Sequence, residues 1–416
     1  MEQEIIVGLD IGTTKVCAIV ASVDEGNRFN VLGVGRSPSD GLTRGVVTNI
    51  DKTVRSIQSA VAEAESRSGI KIQSVIVGIA GDHIQSFQSR GVIAISGLES
   101  EITQADVNRL IEDTKRVALP SDRKIIHVIP QEFIIDGQDG VCDPVGMAGV
   151  RLEANVHIIT GLVTAAQNVY KCVQRAGLHI SDIVLEPLAS SYAVLDEEEK
   201  EVGVALLDVG GGTTDLAVFE DRTIRHTAVI PFAGNQITND IRKGLGVLTE
   251  QAEKLKCQYG FAYVRSVVDD EPITIPGIGG RPPLEIDKRL LAQIIQPRVE
   301  EIFELAAMEI KRSGYSRHLS AGVVLTGGGA LIKGAAELAN EVLGMPVKIG
   351  IPAGFNAGLV RETENPIYAT CVGLVLHGLR HKDHTQFTFE TNGKTGGSNG
   401  SIKKVFSKMK SWFDEL

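Results

Sequence analysis

The residues best placed for chemistry lie in Val202 to Glu220, VGVALLDVGGGTTDLAVFE. An apolar run reads as a buried strand and closes on an acid, Asp208. Gly210, Gly211, Gly212, Thr213, Thr214 and Asp215 follow, and then a second apolar run. Strand, glycine turn, strand is a hairpin. Glycines without side chains let backbone N–H groups approach an anion closely, as a phosphate requires. The threonines add hydroxyl donors. Asp208 and Asp215 repel phosphate but can hold the waters of a Mg²⁺ that binds it. Ile5 to Ala21, IIVGLDIGTTKVCAIVA, repeats the device with Asp10, Gly12, Thr13, Thr14 and Lys15. Asp10 and Asp208 are 198 residues apart. One hairpin repeated at half-chain distance predicts two similarly folded lobes facing each other. A nucleotide phosphate chain would lie between their turns, with Lys15 as a point charge.

Two more stretches suit that cleft. GVVLTGGGAL, from Gly322, reads as a strand followed by Gly327, Gly328 and Gly329, where a flat base and its ribose could lie against backbone. IVLEPLASSYAV, from Ile183, places Glu186 at a strand end before a small-residue helix, where a carboxylate could orient an attacking water. Each piece alone is an ordinary glycine turn or strand end. Together, in this order, they resemble the actin, sugar-kinase and chaperone-ATPase superfamily. The resemblance implies an α/β fold of two actin-like lobes and a site for ATP and Mg²⁺. Asp10 and Asp208 would hold the metal through water. Glu186 and Asp208 are the candidate catalytic residues.

The elements that must position these groups come from a chain of 416 residues, enough for two to four domains. Hydrophobic residues make up 43% and charged residues 23%, as in ordinary globular proteins. A net charge of −10 argues against nonspecific nucleic-acid binding. Five scattered cysteines without a C-x-x-C pair fit reduced, buried thiols of a cytoplasmic protein. No signal segment or spanning stretch is evident. Val54, Ile57, Val61 and Ala64 predict an amphipathic helix over Asp51 to Ser68. From residue 82 to 160 strand-like pieces surround a helix opened by Thr103 and Asp106, a capping box. This stretch is expected to be an α/β insertion in the first lobe.

Within the insertion, Pro130-Gln131, Asp136-Gly137, Asp143-Pro144-Val145-Gly146-Met147 and Arg151-Leu152-Glu153 resemble FtsA, the actin-like family of bacterial cell division. With the nucleotide motifs the resemblance covers about residues 5 to 380. It implies that the insertion takes part in filament and partner contacts. The expected division is 1–81, 161–195 and 364–381 for the first lobe core, and 82–160 for its insertion. The second lobe core takes 196–232 and 311–363, and its insertion 233–310. A linker (382–400) and an amphipathic helix (401–416) complete the chain. The resemblance implies that 233–310 docks the C-terminal tail of the tubulin-like FtsZ. Glu253 and Lys256 share a helix face, which by spacing alone is a solvated ion pair. The resemblance places them near the adenosine ribose. Asp287 to Ser313 reads as a long helix interrupted at Pro297. His377, His381 and His384 have a tempting metal spacing, but they leave a helix into a polar stretch and read as a surface helix end.

The last stretch, SIKKVFSKMKSWFDEL, brings Ile402, Val405, Phe406, Met409, Trp412, Phe413 and Leu416 to one helical face, with lysines opposite. Such a helix suits an anionic membrane interface, the alternative being a helix docked on the protein's own core. GKTGGSNG ahead of it is a flexible tether. The sequence therefore reads as an ATP-binding actin-like protein that polymerises at the cytoplasmic face of the membrane. There it would anchor FtsZ filaments at the division site, with other division proteins as further partners. Competing readings are a small-molecule kinase of the same superfamily, a pilus-type actin-like scaffold, and a scaffold that binds nucleotide without turnover.

Overall fold

The computed structural model describes residues 4–23, 29–96, 101–277, 279–280 and 282–380. The predicted linker and amphipathic helix lie outside these residues, as do His381 and His384. Two lobes repeat one strand order. In the first, Phe29–Pro38, Lys15–Val23 and Glu4–Ile11 run antiparallel in turn, and Ser74–Ile79 and His179–Leu185 continue the sheet in parallel. In the second, Thr223–Ile230, Thr214–Glu220 and Val204–Val209 are antiparallel, followed in parallel by Val323–Thr326 and Val347–Ile349. Each hairpin's first strand is thus the sheet centre, and its carboxyl end points into the space between lobes, where open α/β sheets take their ligands.

Local chemistry explains the elements. Ile50–Ser68 is a helix because Asn49 caps it, its side chain accepting from Lys52 N at 3.0 Å. Gly69 ends it in the left-handed region at φ 70°. Val54, Ile57, Val61 and Ala64 are buried, as the periodicity requires. Two helices connect the lobes. Glu186–Val194 follows directly on the strand His179–Leu185, with Pro187 in its first turn. Ala369–Arg380 lies on the first central strand, where Cys371 Sγ donates to Gly8 O at 3.3 Å. A Cβ at Gly373 would overlap the Ala189 carbonyl, so the two helices cross backbone to backbone.

The first-lobe insertion is an antiparallel sheet of Gln85–Ala94, Arg151–Leu162, Arg123–Ile135 and Gln138–Val141. Helix Gln104–Thr114 covers it, opened by the Thr103/Asp106 capping box. The sheet also reaches the second lobe. Gln131 Nε2 donates to Ile224 O and Arg225 O at 2.8 and 3.1 Å, and Ser86 Oγ to Thr227 O at 2.9 Å. His157 Nε2 lies 3.0 Å from Thr227 Oγ1. The insertion is therefore tied to the outer strand of the opposite lobe.

Three expectations are corrected. Lys288–Arg312 runs unbroken through Pro297. A proline inside a helix costs about 3 kcal/mol. Here Leu291, Ala292 and Ile295 before it and Val299, Ile302 and Phe303 after it are all buried, and Pro297 itself faces solvent. His377 is buried instead of ending a surface helix, with Nε2 3.0 Å from Asp182 Oδ2. Cys17, Cys172 and Cys371 are buried free thiols, but Cys142 and Cys257 are exposed.

Candidate functional site

The two hairpin turns meet. Gly12 N donates to Lys15 O at 2.9 Å and Gly210 N to Thr213 O at 3.0 Å, closing both turns tightly. A Cβ built on Gly212 would lie 2.5 Å from Thr13 Oγ1, and one on Gly211 would lie 2.7 Å from Thr14 Oγ1. Any side chain at these two glycines would push the lobes apart. Thr13 Oγ1 is fixed by the Gly45 N–H at 3.0 Å. The second turn rests on the start of helix Gly234–Leu245: Gly234 N donates to Gly210 O at 3.1 Å and Asn235 N to Gly211 O at 2.8 Å. Behind the tips lies a cleft of about 370 Å³.

Carboxylates line its floor, each at a strand end or, for Asp215, in the returning strand. Lys15 Nζ donates to Asp10 Oδ2 at 2.8 Å. Burial works against the Lys15 charge, but Asp10 outweighs it and raises the ammonium above its ordinary range. Asp208 Oδ2 accepts from Ser190 Oγ at 2.7 Å and from Thr370 Oγ1 at 3.3 Å. Burial raises the Asp208 carboxyl; the Ser190 hydroxyl opposes this and Asp10 adds to it. Asp215 Oδ2 accepts from Thr213 Oγ1 at 3.1 Å, while its Oδ1 is buried without a partner. Burial, with Asp208 beside it, pushes Asp215 up to about 8. Glu186 is lifted well above the usual carboxylate range, first by burial and then by Asp10, Asp215 and Asp208.

The far side of the cleft is more apolar. Gly327, Gly328 and Gly329 line it together with Ile332 and Ile367. A Cβ at Gly327, whose φ is +82°, would lie 2.6 Å from Val209 O, so the strand end can approach the second hairpin only as glycine. Glu253 and Lys256 stand here as a pair, 2.7 Å apart. Lys256 also donates to Thr238 Oγ1 at 2.9 Å and Gly234 O at 3.1 Å, and Thr238 in turn bonds Glu253. Burial raises the Glu253 carboxyl, but Lys256 and the hydroxyl more than offset this and leave it below its ordinary value.

Of the residues singled out from sequence, Asp10, Gly12, Thr13, Thr14, Lys15, Glu186, Asp208, Gly210–Thr213, Asp215, Glu253, Lys256 and Gly327–Gly329 all line this one cleft. Thr214 does not. It is fully buried and donates to Phe232 O at 2.8 Å, because alternation along the strand turns it to the other face. Ile402, Val405, Phe406, Met409, Trp412, Phe413 and Leu416 lie outside the described residues. Sequence reasoning missed Gly45, Gly234, Ser190, Thr370 and Ile367. The only linear signal for any of them is the small-residue run LASSY; the rest arrive through tertiary packing.

The family described as "Cell division protein FtsA" matches residues 205–373, and the one described as "SHS2 domain inserted in FTSA" matches residues 81–160. A cell division protein FtsA from Pseudomonas aeruginosa is 46% identical over 409 residues, 98% of this chain and 97% of its own. That of Escherichia coli is 39% identical over 420 residues, 99% of each. That of Bacillus subtilis is 41% identical over 379 residues, 91% of this chain and 84% of its own. Among solved structures, a chain of the PilM-PilN type IV pilus biogenesis complex aligns with a TM-score of 0.66 at 17% identity, over 91% of this chain and 99% of that one. The MreB5 protein of Spiroplasma citri, solved bound to ADP, aligns with a TM-score of 0.54 at 16% identity, over 89% of this chain and 94% of that one. These distant structures establish an actin-like fold, and the much closer sequence relatives decide among its branches. The chain belongs to the FtsA family of cell division proteins.

Proposed function

We propose that the cleft binds ATP with Mg²⁺. On this reading the protein polymerises at the cytoplasmic face of the membrane and anchors FtsZ filaments there. The observation that carries the nucleotide reading is the charge balance of the floor. Asp10, Asp208, Asp215 and Glu186 share it with Lys15, already engaged by Asp10, while Lys333, also on the cleft lining, lies over the Phe261 ring. Lys256 is engaged by Glu253. One Asp215 oxygen is buried without a partner. Such a site fits a divalent cation, which would supply positive charge for the waters of Asp10 and Asp208 and for phosphate oxygens. The glycine turns fit the phosphates, since no Cβ shields the N–H groups of Gly211 and Gly212, those of Gly12 and Gly210 being used to close the turns. Lys15 would neutralise phosphate charge, and Gly327–Gly329 with Glu253 and Lys256 would hold the adenosine.

Burial and its acidic neighbours disfavour the charged form of Glu186, which weakens it as a base for the water it would orient. Hydrolysis on this reading is slow. The second-lobe insertion exposes Leu248, Val268, Leu284 and Leu290, apolar surface that supports docking of the FtsZ tail. The sequence of 401–416 supports a peripheral anchor. Among the described residues no helix is long and apolar enough to cross a membrane. Calorimetry with ATP and Mg²⁺ tests the cleft: Asp208→Ala should abolish Mg²⁺-dependent binding. Full affinity in that variant would move the site elsewhere. Liposome pelleting with and without ATP and FtsZ tests the anchor. Failure of FtsZ to co-sediment through this protein would refute it.

A further inference from the structure

We propose that Ser190 and Thr370 are positioning residues that hold Asp208 ready for the cation, one from each helix connecting the lobes. The inference rests on the Mg²⁺–nucleotide reading of the cleft. Ser190 sits in helix Glu186–Val194 and Thr370 in helix Ala369–Arg380. Their hydroxyls lie 3.2 Å apart, and both donate to the same oxygen, Asp208 Oδ2, at 2.7 and 3.3 Å. Ser190 is fully buried and Thr370 is 9% exposed, so water does not compete for these bonds. The other oxygen, Oδ1, packs against Gly327, where a Cβ would overlap it. Among the described residues Oδ1 receives no hydrogen bond, and Asp208 lines the cleft. The carboxylate is thus pinned by one oxygen and free at the other.

The choice of donors has a chemical consequence. Asp10 is held by an ammonium, which cancels most of its charge. Asp208 is held by two neutral hydroxyls, which fix its plane and leave its charge for a cation. The donors also come from two elements that cross at Ala189 and Gly373 without intervening side chains. Small rotations of one helix on the other displace one donor relative to the other. Asp208 is therefore set for the cation in one arrangement of the connecting helices, so lobe geometry and cation affinity are linked.

The test uses the full chain and ATP binding by calorimetry, titrated from EDTA to millimolar Mg²⁺. Ser190→Ala and Thr370→Val should each raise the Mg²⁺ midpoint roughly tenfold, the low end of the worth of a hydrogen bond to a charged group. Together they should raise it less than the product of the two, because the donors share one oxygen. Thr370→Ser keeps the hydroxyl and should keep the wild-type midpoint. Ser190→Ala is the safeguard against misfolding, since it removes one atom and alanine favours the helix. A role confined to packing would lower the unfolding midpoint and leave the Mg²⁺ midpoint where it was. That result, or a Thr370→Ser variant as impaired as Thr370→Val, overturns the proposal. If wild-type ATP binding itself ignores Mg²⁺, the reading of the cleft fails and takes this inference with it, an outcome distinguishable from the first two.

Discussion

Gly212→Ala isolates the contact between the two turns. The new Cβ would lie 2.5 Å from Thr13 Oγ1 and 2.9 Å from Thr13 Cβ and Cγ2. Carbon atoms at rest sit about 3.5–4 Å apart, so the tips must separate by roughly 0.6–1 Å. Thr13 cannot rotate its hydroxyl away without losing the bond from Gly45 N. Nor does moving the threonine Cγ2 help, because its Cβ is itself too close. Gly212 lies outside the left-handed region, so alanine is not strained there and its effect on the unfolded chain offsets part of any loss. The substitution should leave the melting temperature nearly unchanged. It should weaken ATP binding roughly 10- to 100-fold, since two phosphate-facing hydrogen bonds of about 1 kcal/mol each are stretched. Calorimetry with ATP and Mg²⁺, alongside thermal unfolding by circular dichroism, measures both. An intact fold with affinity within about twofold of wild type would refute the role given to the paired turns. A large fall in melting temperature would refute the claim that the backbone accepts alanine.

The contribution of two buried histidines to stability should fall on acidification, opposite in sign to that of the raised Asp215 and Glu186 carboxyls. Burial pushes His83 and His157 each down to about 4, Arg123 adding to the effect at His83 and His226 at His157, while Asp82 opposes it at His83. Unfolded histidines bind protons below about 6.5, where the folded ones do not. The stabilisation is therefore complete above that pH and is lost as pH falls toward 4, on the order of 3 kcal/mol for each. Relative to His157→Gln, wild type should lose urea midpoint between pH 7 and pH 5; an unchanged difference between the two proteins would refute it. Gln131→Ala removes both bonds from the insertion to Ile224 and Arg225 carbonyls. It should cost about 1–3 kcal/mol and increase hydrogen exchange along Thr223–Ile230; exchange confined to the insertion would refute the tie. Trp412→Glu should release the protein from anionic vesicles while ATP binding persists. High salt should weaken wild-type attachment only in part, because the apolar share is unscreened. Unaltered pelleting of the variant would sink the anchor.

Much of the molecule is written in local pattern, because local chemistry decides it. The two hairpins were legible since an apolar run, an acid and a glycine turn need no distant partner to form. The helix Ile50–Ser68 follows from four apolar positions and an asparagine cap, and the insertion helix from its capping box. Other features need neighbours that spacing does not reveal. Pro297 breaks helices in isolation, and only the buried residues flanking it carry the helix past it. His377 gains its partner, Asp182, from a strand nearly two hundred residues earlier. Thr214 shares a motif with Thr213, but in an antiparallel pair adjacent residues face opposite sides, so one reaches the cleft and the other the interior.

The same distinction separates the acids from what orients them. Carboxylates at strand ends are conspicuous in sequence because a charge after a buried run needs a reason. Their supports are serine, threonine and glycine, residues that occur everywhere. Ser190 and Thr370 lie 18 and 162 residues from Asp208 and converge on one of its oxygens only after both lobes and both connecting helices are in place. A charge that must stay available cannot be held by an opposite charge without being spent, so neutral donors hold it, and neutral donors leave no trace in a charge pattern. What sequence reading finds in such a cleft is therefore the groups that would meet the ligand. The groups that aim them emerge only from the packing, and Asp208 shows both at a single carboxylate: a predicted acid that lines the cleft and an unpredicted pair of hydroxyls that bond it.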